Sequence, residues 1–152
     1  MSLESVREYF KEKGLDFEIF EFEDSTENVE LAARTLGVEP CLIAKTIALK
    51  LKGRNILVVS SGDARLDNRK YKNQFGQKIK MMSPDEVMEL TGHPVGGVCP
   101  FGLKNTMDVY LDVSLKQFET VYPAAGSKNS CVKMTIEQLE TITGTEWVDV
   151  CS

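Results

Sequence analysis

Eleven consecutive residues, Gly92-His93-Pro94-Val95-Gly96-Gly97-Val98-Cys99-Pro100-Phe101-Gly102, hold four glycines and two prolines. No helix or strand runs through such a stretch. Glycine opens positive φ and close backbone approach, and proline fixes φ while removing a hydrogen-bond donor. Two structures satisfy this composition. One is a tight structural turn. The other is a cradle whose exposed backbone N–H and C=O groups hold a small polar ligand or an ester without spending side chains. The residues on either side fix where the loop must sit. Ser83-Pro84-Asp85-Glu86 combines a cap, a proline at the first helical position and a glutamate that closes the capping box, so a helix starts there and ends at Gly92. Met107 to Val113 reads as a strand. The loop therefore joins a helix to a strand.

The rest of the chain interleaves the two periodicities. A first helix ends at Gly14, and the aromatic run Phe17 to Phe22 reads as a strand. Ser25 or Thr26 is expected to cap a second helix with Val29, Ala32, Ala33 and Leu36 inward and Gly37 at its end. Ala44 to Leu51 and Ile56 to Ser60 flank Lys52-Gly53-Arg54-Asn55 as a hairpin. Asp67 caps a short basic helix that stops near Gly76, and Lys78 to Met81 is expected to be a short strand. Val121 to Ala124 and Cys131 to Met134 read as further strands, and Thr135 with Gln138 opens a last helix. Helices among hairpin-linked strands predict an α+β fold with a mixed sheet, and 152 residues suit one domain spanning 1–152.

Composition narrows the chemistry. No apolar run approaches membrane-spanning length, and the first residues lack the pattern of a signal peptide, so a cytoplasmic protein without a membrane partner is expected. Cys41, Cys99, Cys131 and Cys151 form no CxxC pair, and His93 is the one histidine. No zinc constellation is expected, nor any other metal or organic cofactor. A single histidine argues against Ser-His-Asp and Cys-His hydrolases, and Cys99 has no evident base in sequence. The formal net charge of -5 conceals a strong asymmetry. Residues 1–40 carry eleven acids and four bases, and residues 82–152 ten acids and four bases. Residues 41–81 carry ten bases against Asp63 and Asp67. That middle segment is either a solvated face or a surface for a polyanion.

Lys45 is the residue out of place. In a strand from Ala44 to Leu51, alternation puts it on the face of Ile47, Leu49 and Leu51, with Ala44, Thr46, Ala48 and Lys50 opposite. A lysine ending an apolar row either snorkels to solvent or points into a pocket toward an anionic or carbonyl-bearing ligand.

Ile43-Ala44-Lys45-Thr46, the loop from Gly92 to Gly102, Tyr110-Leu111-Asp112 and Ala125-Gly126-Ser127 follow in an order that resembles the YbaK / prolyl-tRNA-synthetase-associated domain family, across nearly the whole chain. These are freestanding and inserted domains that hydrolyse mischarged aminoacyl-tRNA. The resemblance implies a barrel-like mixed sheet with flanking helices, and aminoacyl-tRNA as the partner, with a synthetase as a second candidate partner and no role for DNA. It implies that Lys45 meets the terminal adenosine or its phosphate, and that Gly96, Gly97, Val98 and Pro100 hold the aminoacyl carbonyl. It places Phe20, Val29, Ala32, Gly102, Gly126 and Ser127 around the substrate. Lys50, Lys52, Arg54, Arg69, Lys70 and Lys72 become candidate tRNA contacts. Two positions depart from the family pattern: Ala124 stands where some members carry serine, and Cys131 where they carry aspartate. The loop's Val-Cys-Pro-Phe-Gly form resembles freestanding members acting on small or hydroxylated amino acids. The implied activity is deacylation in trans; the alternative is a non-catalytic tRNA- or nucleotide-binding module of the same fold that regulates a synthetase.

Overall fold

Ile56, Leu57, Val58 and Val59 are all fully buried, and a strand with no exposed face must lie at the centre of a sheet covered on both sides. The computed structural model, which describes residues 2–143 and 146–152, places them in β3 (Arg54–Ser61). β3 pairs antiparallel with β2 (Ile43–Leu51) and parallel with β4 (Asp108–Asp112). β5 (Thr120–Pro123), β7 (Met134–Thr135) and β8 (Glu146–Val148) complete a curled mixed sheet in the order β7-β5-β2-β3-β4-β8. A two-stranded ribbon pairs β1 (Ile19–Glu21) with β6 (Ser130–Val132). The fold is α+β.

Helices close both faces. On one, Val6 and Phe10 of α1 (Ser2–Glu12) and Leu139 of α5 (Ile136–Thr143) pack with Phe101, Leu111 and Val121. On the other, Tyr71 of α3 (Asn68–Phe75) packs on Leu49, Ile56 and Val58. α2 (Val29–Leu36) and α4 (Pro84–Thr91) flank β2. Each fully buried aliphatic or aromatic side chain here contributes about 1.5–3 kcal/mol of transfer free energy.

Several local rules hold as read. Asp67 accepts from the Lys70 N–H, Ser83 and Glu86 form the full capping box, and Thr135 and Gln138 exchange side-chain-to-backbone bonds. Others need correction. The cap of α2 is Asn28, which accepts from the Leu31 N–H, rather than Ser25 or Thr26. The β2–β3 turn shrinks to Lys52-Gly53, with Gly53 at φ 86°. The strand expected at Lys78 to Met81 reduces to a single bridge from Met81 to Leu49, because the chain turns at once into the Ser83 cap. The strand expected over Cys131 to Met134 divides at Lys133: β6 joins the ribbon with β1, and β7 joins β5 in the main sheet.

Candidate functional site

The site begins as a gap in a sheet edge. The N–H and C=O groups of even-numbered β2 residues face away from β3. β5 covers this edge only at Ile43 and Ala44. Further along, Met82 N–H donates to Ala48 O (3.1 Å) and Lys50 N–H to Lys80 O (2.8 Å). Thr46 lies between these two covers, with no strand beside it among the described residues. An uncovered strand edge surrounded by packed elements exposes polar backbone to whatever enters.

A cavity of about 310 Å³ occupies this gap. β2 lines it from Ile43 to Ala48, with the small residues Ala44, Thr46 and Ala48 alternating with Lys45 and Ile47. Val29 and Ala32 of α2, and Pro84 and Val87 of α4, line it together with Val95, Gly96 and Val98 of the glycine-proline loop. Met81 and Val95, which are 61% and 50% exposed, give it an apolar rim. Thr26, Tyr122, Ala124 and Cys131 also belong to the wall. Ala124 and Cys131 are bridged to each other there.

Lys45 is part of this wall, and its Nζ donates to Ala64 O. Burial lowers its pKa below the ordinary lysine value, Arg65 adds to that, and Cys151 and Asp63 oppose it. One of its three N–H donors is used, which leaves two for a ligand.

The glycine-proline loop is held to its neighbours by close approach. Gly96 has φ 94°, and a Cβ there would lie 2.9 Å from Glu27 O. A Cβ on Gly97 would lie 2.7 Å from Ser127 N. Gly97 N–H donates to Pro94 O (2.9 Å), and Gly97 O accepts from Gly126 N–H (3.0 Å). Gly97, Gly126 and Ser127 therefore form the joint that holds the loop, and none of the three lines the cavity. Pro100 and Gly102 lie on a separate groove beside α1 and α5. Phe20 is in β1, stacked on Phe22 at 6.4 Å; it pairs with Cys131 of the cavity wall but does not itself line the cavity. Of the expected substrate residues the structure brings together Lys45, Val29, Ala32, Gly96 and Val98.

His93 and Cys99 of the loop adjoin one another, with Nε2 3.7 Å from Sγ, but both are fully buried. The ring bonds Phe101 O through Nε2 (2.7 Å), and burial pushes the Cys99 thiol up to about 12. A thiol so hard to ionise is packing rather than a nucleophile. Cys131, the cysteine of the cavity wall, is likewise raised by burial.

Half of the candidate cationic contacts are already engaged. Lys50 pairs with Glu86, Arg54 with Asp108 (2.6 Å) and the Tyr110 hydroxyl (2.7 Å), and Lys70 with Asp149 (3.1 Å). Lys52, Arg69 and Lys72 are exposed and form no ion pair among the described residues.

Sequence and structure comparisons identify the family and the fold. The family model of the aminoacyl-tRNA editing domain matches residues 23–142. The chain belongs to that family. This editing domain is 48% identical to the uncharacterized protein YwhH of Bacillus subtilis over 99% of this chain and 98% of YwhH. It is 25% identical to EbsC of Enterococcus faecalis, a candidate Cys-tRNA(Pro)/Cys-tRNA(Cys) deacylase, over 81% of this chain and 76% of EbsC. Among solved structures it superimposes on a candidate trans-editing enzyme for prolyl-tRNA synthetase with a TM-score of 0.91 at 29% identity, covering 99% of this chain and 97% of the other. No helix among the described residues is long and apolar enough to cross a membrane.

Proposed function

We propose that this editing domain, working as one unit, hydrolyses the ester of mischarged aminoacyl-tRNA in trans, with a small or hydroxylated amino acid as the acyl group. The observation that supports this best is the gap at Thr46: an uncovered strand edge, an apolar cavity and Lys45 meet at one place. The tRNA 3′ terminus enters past Met81 and Val95, and the amino-acid side chain goes into the cavity. Lys45 Nζ, anchored on Ala64 O, offers its remaining donors to the terminal adenosine or its phosphate. The loop at Gly96 presents backbone to the aminoacyl carbonyl. Water adds its oxygen to the carbonyl carbon, the ester C–O bond breaks, the leaving ribose oxygen takes up one proton of that water, and the amino acid departs as a carboxylate with release of the other proton. An aminoacyl ester is already activated, so positioning and carbonyl polarisation meet most of the demand. No protein nucleophile is needed. The substrate arises in translation, which places this activity in the cytoplasm, alone or beside a synthetase.

Incubation with tRNAs charged with alanine, serine, threonine or cysteine, followed by measurement of released amino acid, tests the reading. Release from at least one is expected. Lys45→Ala lowers its rate on the order of a hundredfold or more while the far-ultraviolet circular dichroism stays unchanged. Full activity in that variant removes Lys45 from the mechanism, and no release from any substrate favours the non-catalytic binding module.

A further inference from the structure

Lys45 carries its charge on a flexible four-carbon stem, and what fixes its Nζ is the carbonyl of Ala64. Ala64 lies in the connection between β3 and α3, residues 62–67. A carbonyl in a connecting loop is a steady anchor only if something holds the loop. Residues 150–152 do so here. Arg65 N–H donates to Ser152 O (3.2 Å), Ser152 N–H to Arg65 O (2.8 Å), and Asp67 N–H to Val150 O (2.8 Å). Leu66 and Cys151 face each other in the resulting antiparallel bridge. Lys70 Nζ adds a bond to Cys151 O (2.9 Å).

That segment is fixed in turn by Asp112, the last residue of β4. Asp112 is 1% exposed and forms no ion pair among the described residues. Its Oδ1 accepts from Val150 N–H (2.9 Å) and its Oδ2 from Ser114 N–H (2.9 Å). The Cys151 thiol bonds the side chains of Asp112 and Ser60, and Ser60 is the register partner of Lys45 across β2 and β3. Burying a carboxylate is unfavourable unless its oxygens are well bonded. Both oxygens of this one hold backbone N–H groups, one of them in the segment that fixes the loop of Ala64. An unbroken series of hydrogen bonds and short peptide links thus runs from Asp112 through Val150 and residues 65–67 to Ala64 O and Lys45 Nζ. Asp112 itself does not line the cavity.

We propose that Asp112 is a positioning residue for Lys45: through residues 150–152 it holds the Ala64 carbonyl, and with it Nζ, at the cavity wall. The consequence for catalysis rests on the deacylase reading; the placement of Nζ does not. Displacing a positioned group by about 1 Å can cost on the order of a hundredfold in rate.

The first measurement needs no substrate. In protein whose lysines carry 13C at Cε, a stem held in one geometry gives separate shifts for its two ε protons, and a mobile stem gives one averaged shift. Loss of a signal in Lys45→Arg identifies Lys45. Separate shifts are expected in the wild type and an averaged shift in Asp112→Asn. The same averaging is expected in Val150→Pro, which removes the N–H donor and leaves the carboxylate. An averaged shift in the wild type overturns the proposal, as do separate shifts in both variants. The second measurement is single-turnover hydrolysis of whichever aminoacyl-tRNA the wild type cleaves. Asp112→Asn lowers that rate on the order of tenfold or more. In a Lys45→Ala background it costs less than about twofold, because the group it positions is already gone. Thermal melting gives the stability cost in both backgrounds, which a purely structural role would carry into the rate equally. An equal loss of rate in the two backgrounds overturns the positioning role. If the wild type releases no amino acid, the deacylase reading fails, and the ε-proton shifts alone decide whether Asp112 places Lys45.

Discussion

Burial decides what His93 and Cys99 can do. Their 3.7 Å approach has the outline of a catalytic dyad, yet both are fully buried and the thiol is raised to about 12. The same burial lowers the His93 pKa below its ordinary value of 6.5. The folded protein thus holds this imidazole neutral, while the unfolded chain takes up a proton near pH 6.5. His93 favours folding above that pH and loses its contribution as the pH falls through the depressed folded value. Thermal melting from pH 7.5 down to 5 should show a falling Tm, with a shallower fall in His93→Gln, where no imidazole titrates. An equally steep fall in the variant would assign the acid sensitivity elsewhere. Residue-scale legibility in the sequence was uneven for a related reason. Alternation correctly separated Lys45, Ile47 and Leu49 from Ala44, Thr46 and Ala48, but the cavity sits at the edge of β2 and residues of both rows line it, which a face-by-face reading does not foresee.

At the scale of elements, the glycine-proline loop proves to be both a turn and a cavity wall. Its Gly97 joint to Gly126 fixes its position, and Gly96 and Val98 then reach the cavity. Gly96→Ala would put a Cβ 2.7 Å from the Glu27 Cβ at φ 94°, so the loop or the Thr26-Glu27 segment must shift. The expected cost is about 1–3 kcal/mol of stability, and the displaced wall should reduce deacylation further than the lost stability alone. Denaturant unfolding with kcat/KM measured well below the transition checks both. Unchanged stability and activity would show that the close approach at Gly96 is dispensable. Elements with a local chemical signature, such as the capped starts at Asp67, Ser83 and Thr135, were legible in the sequence. Those fixed by long-range pairing were not. Nothing in Cys131 to Met134 says that the chain leaves one sheet for another at Lys133, and nothing in Lys78 to Met81 says that only one residue bridges to β2.

For the whole molecule, the interleaved periodicities gave the α+β class and the mixed sheet, but the gap at Thr46 arises from where β5 departs from β2, a property of topology that no local window contains. Charge behaves the same way. The sequence shows a basic middle segment in a chain of net charge -5, and folding spends part of it internally by bringing Glu86, Asp108 and Asp149 to Lys50, Arg54 and Lys70. Only Lys52, Arg69 and Lys72 of the six candidate contacts remain free of ion pairs among the described residues. Each phosphate contact releases condensed counterions, so the logarithm of the tRNA association constant should fall with the logarithm of salt by roughly 0.7–0.9 per contact. Three free cations therefore predict a slope of about -2 to -3, against about -4 to -5 if all six reached phosphates. Lys52→Glu, Arg69→Glu and Lys72→Glu should each flatten the slope by nearly one contact, whereas Lys50→Gln should leave it nearly unchanged, because Glu86 already holds that charge. A slope near zero in the wild type would return the basic segment to a solvated face, and a six-contact slope would mean that tRNA displaces the internal carboxylates.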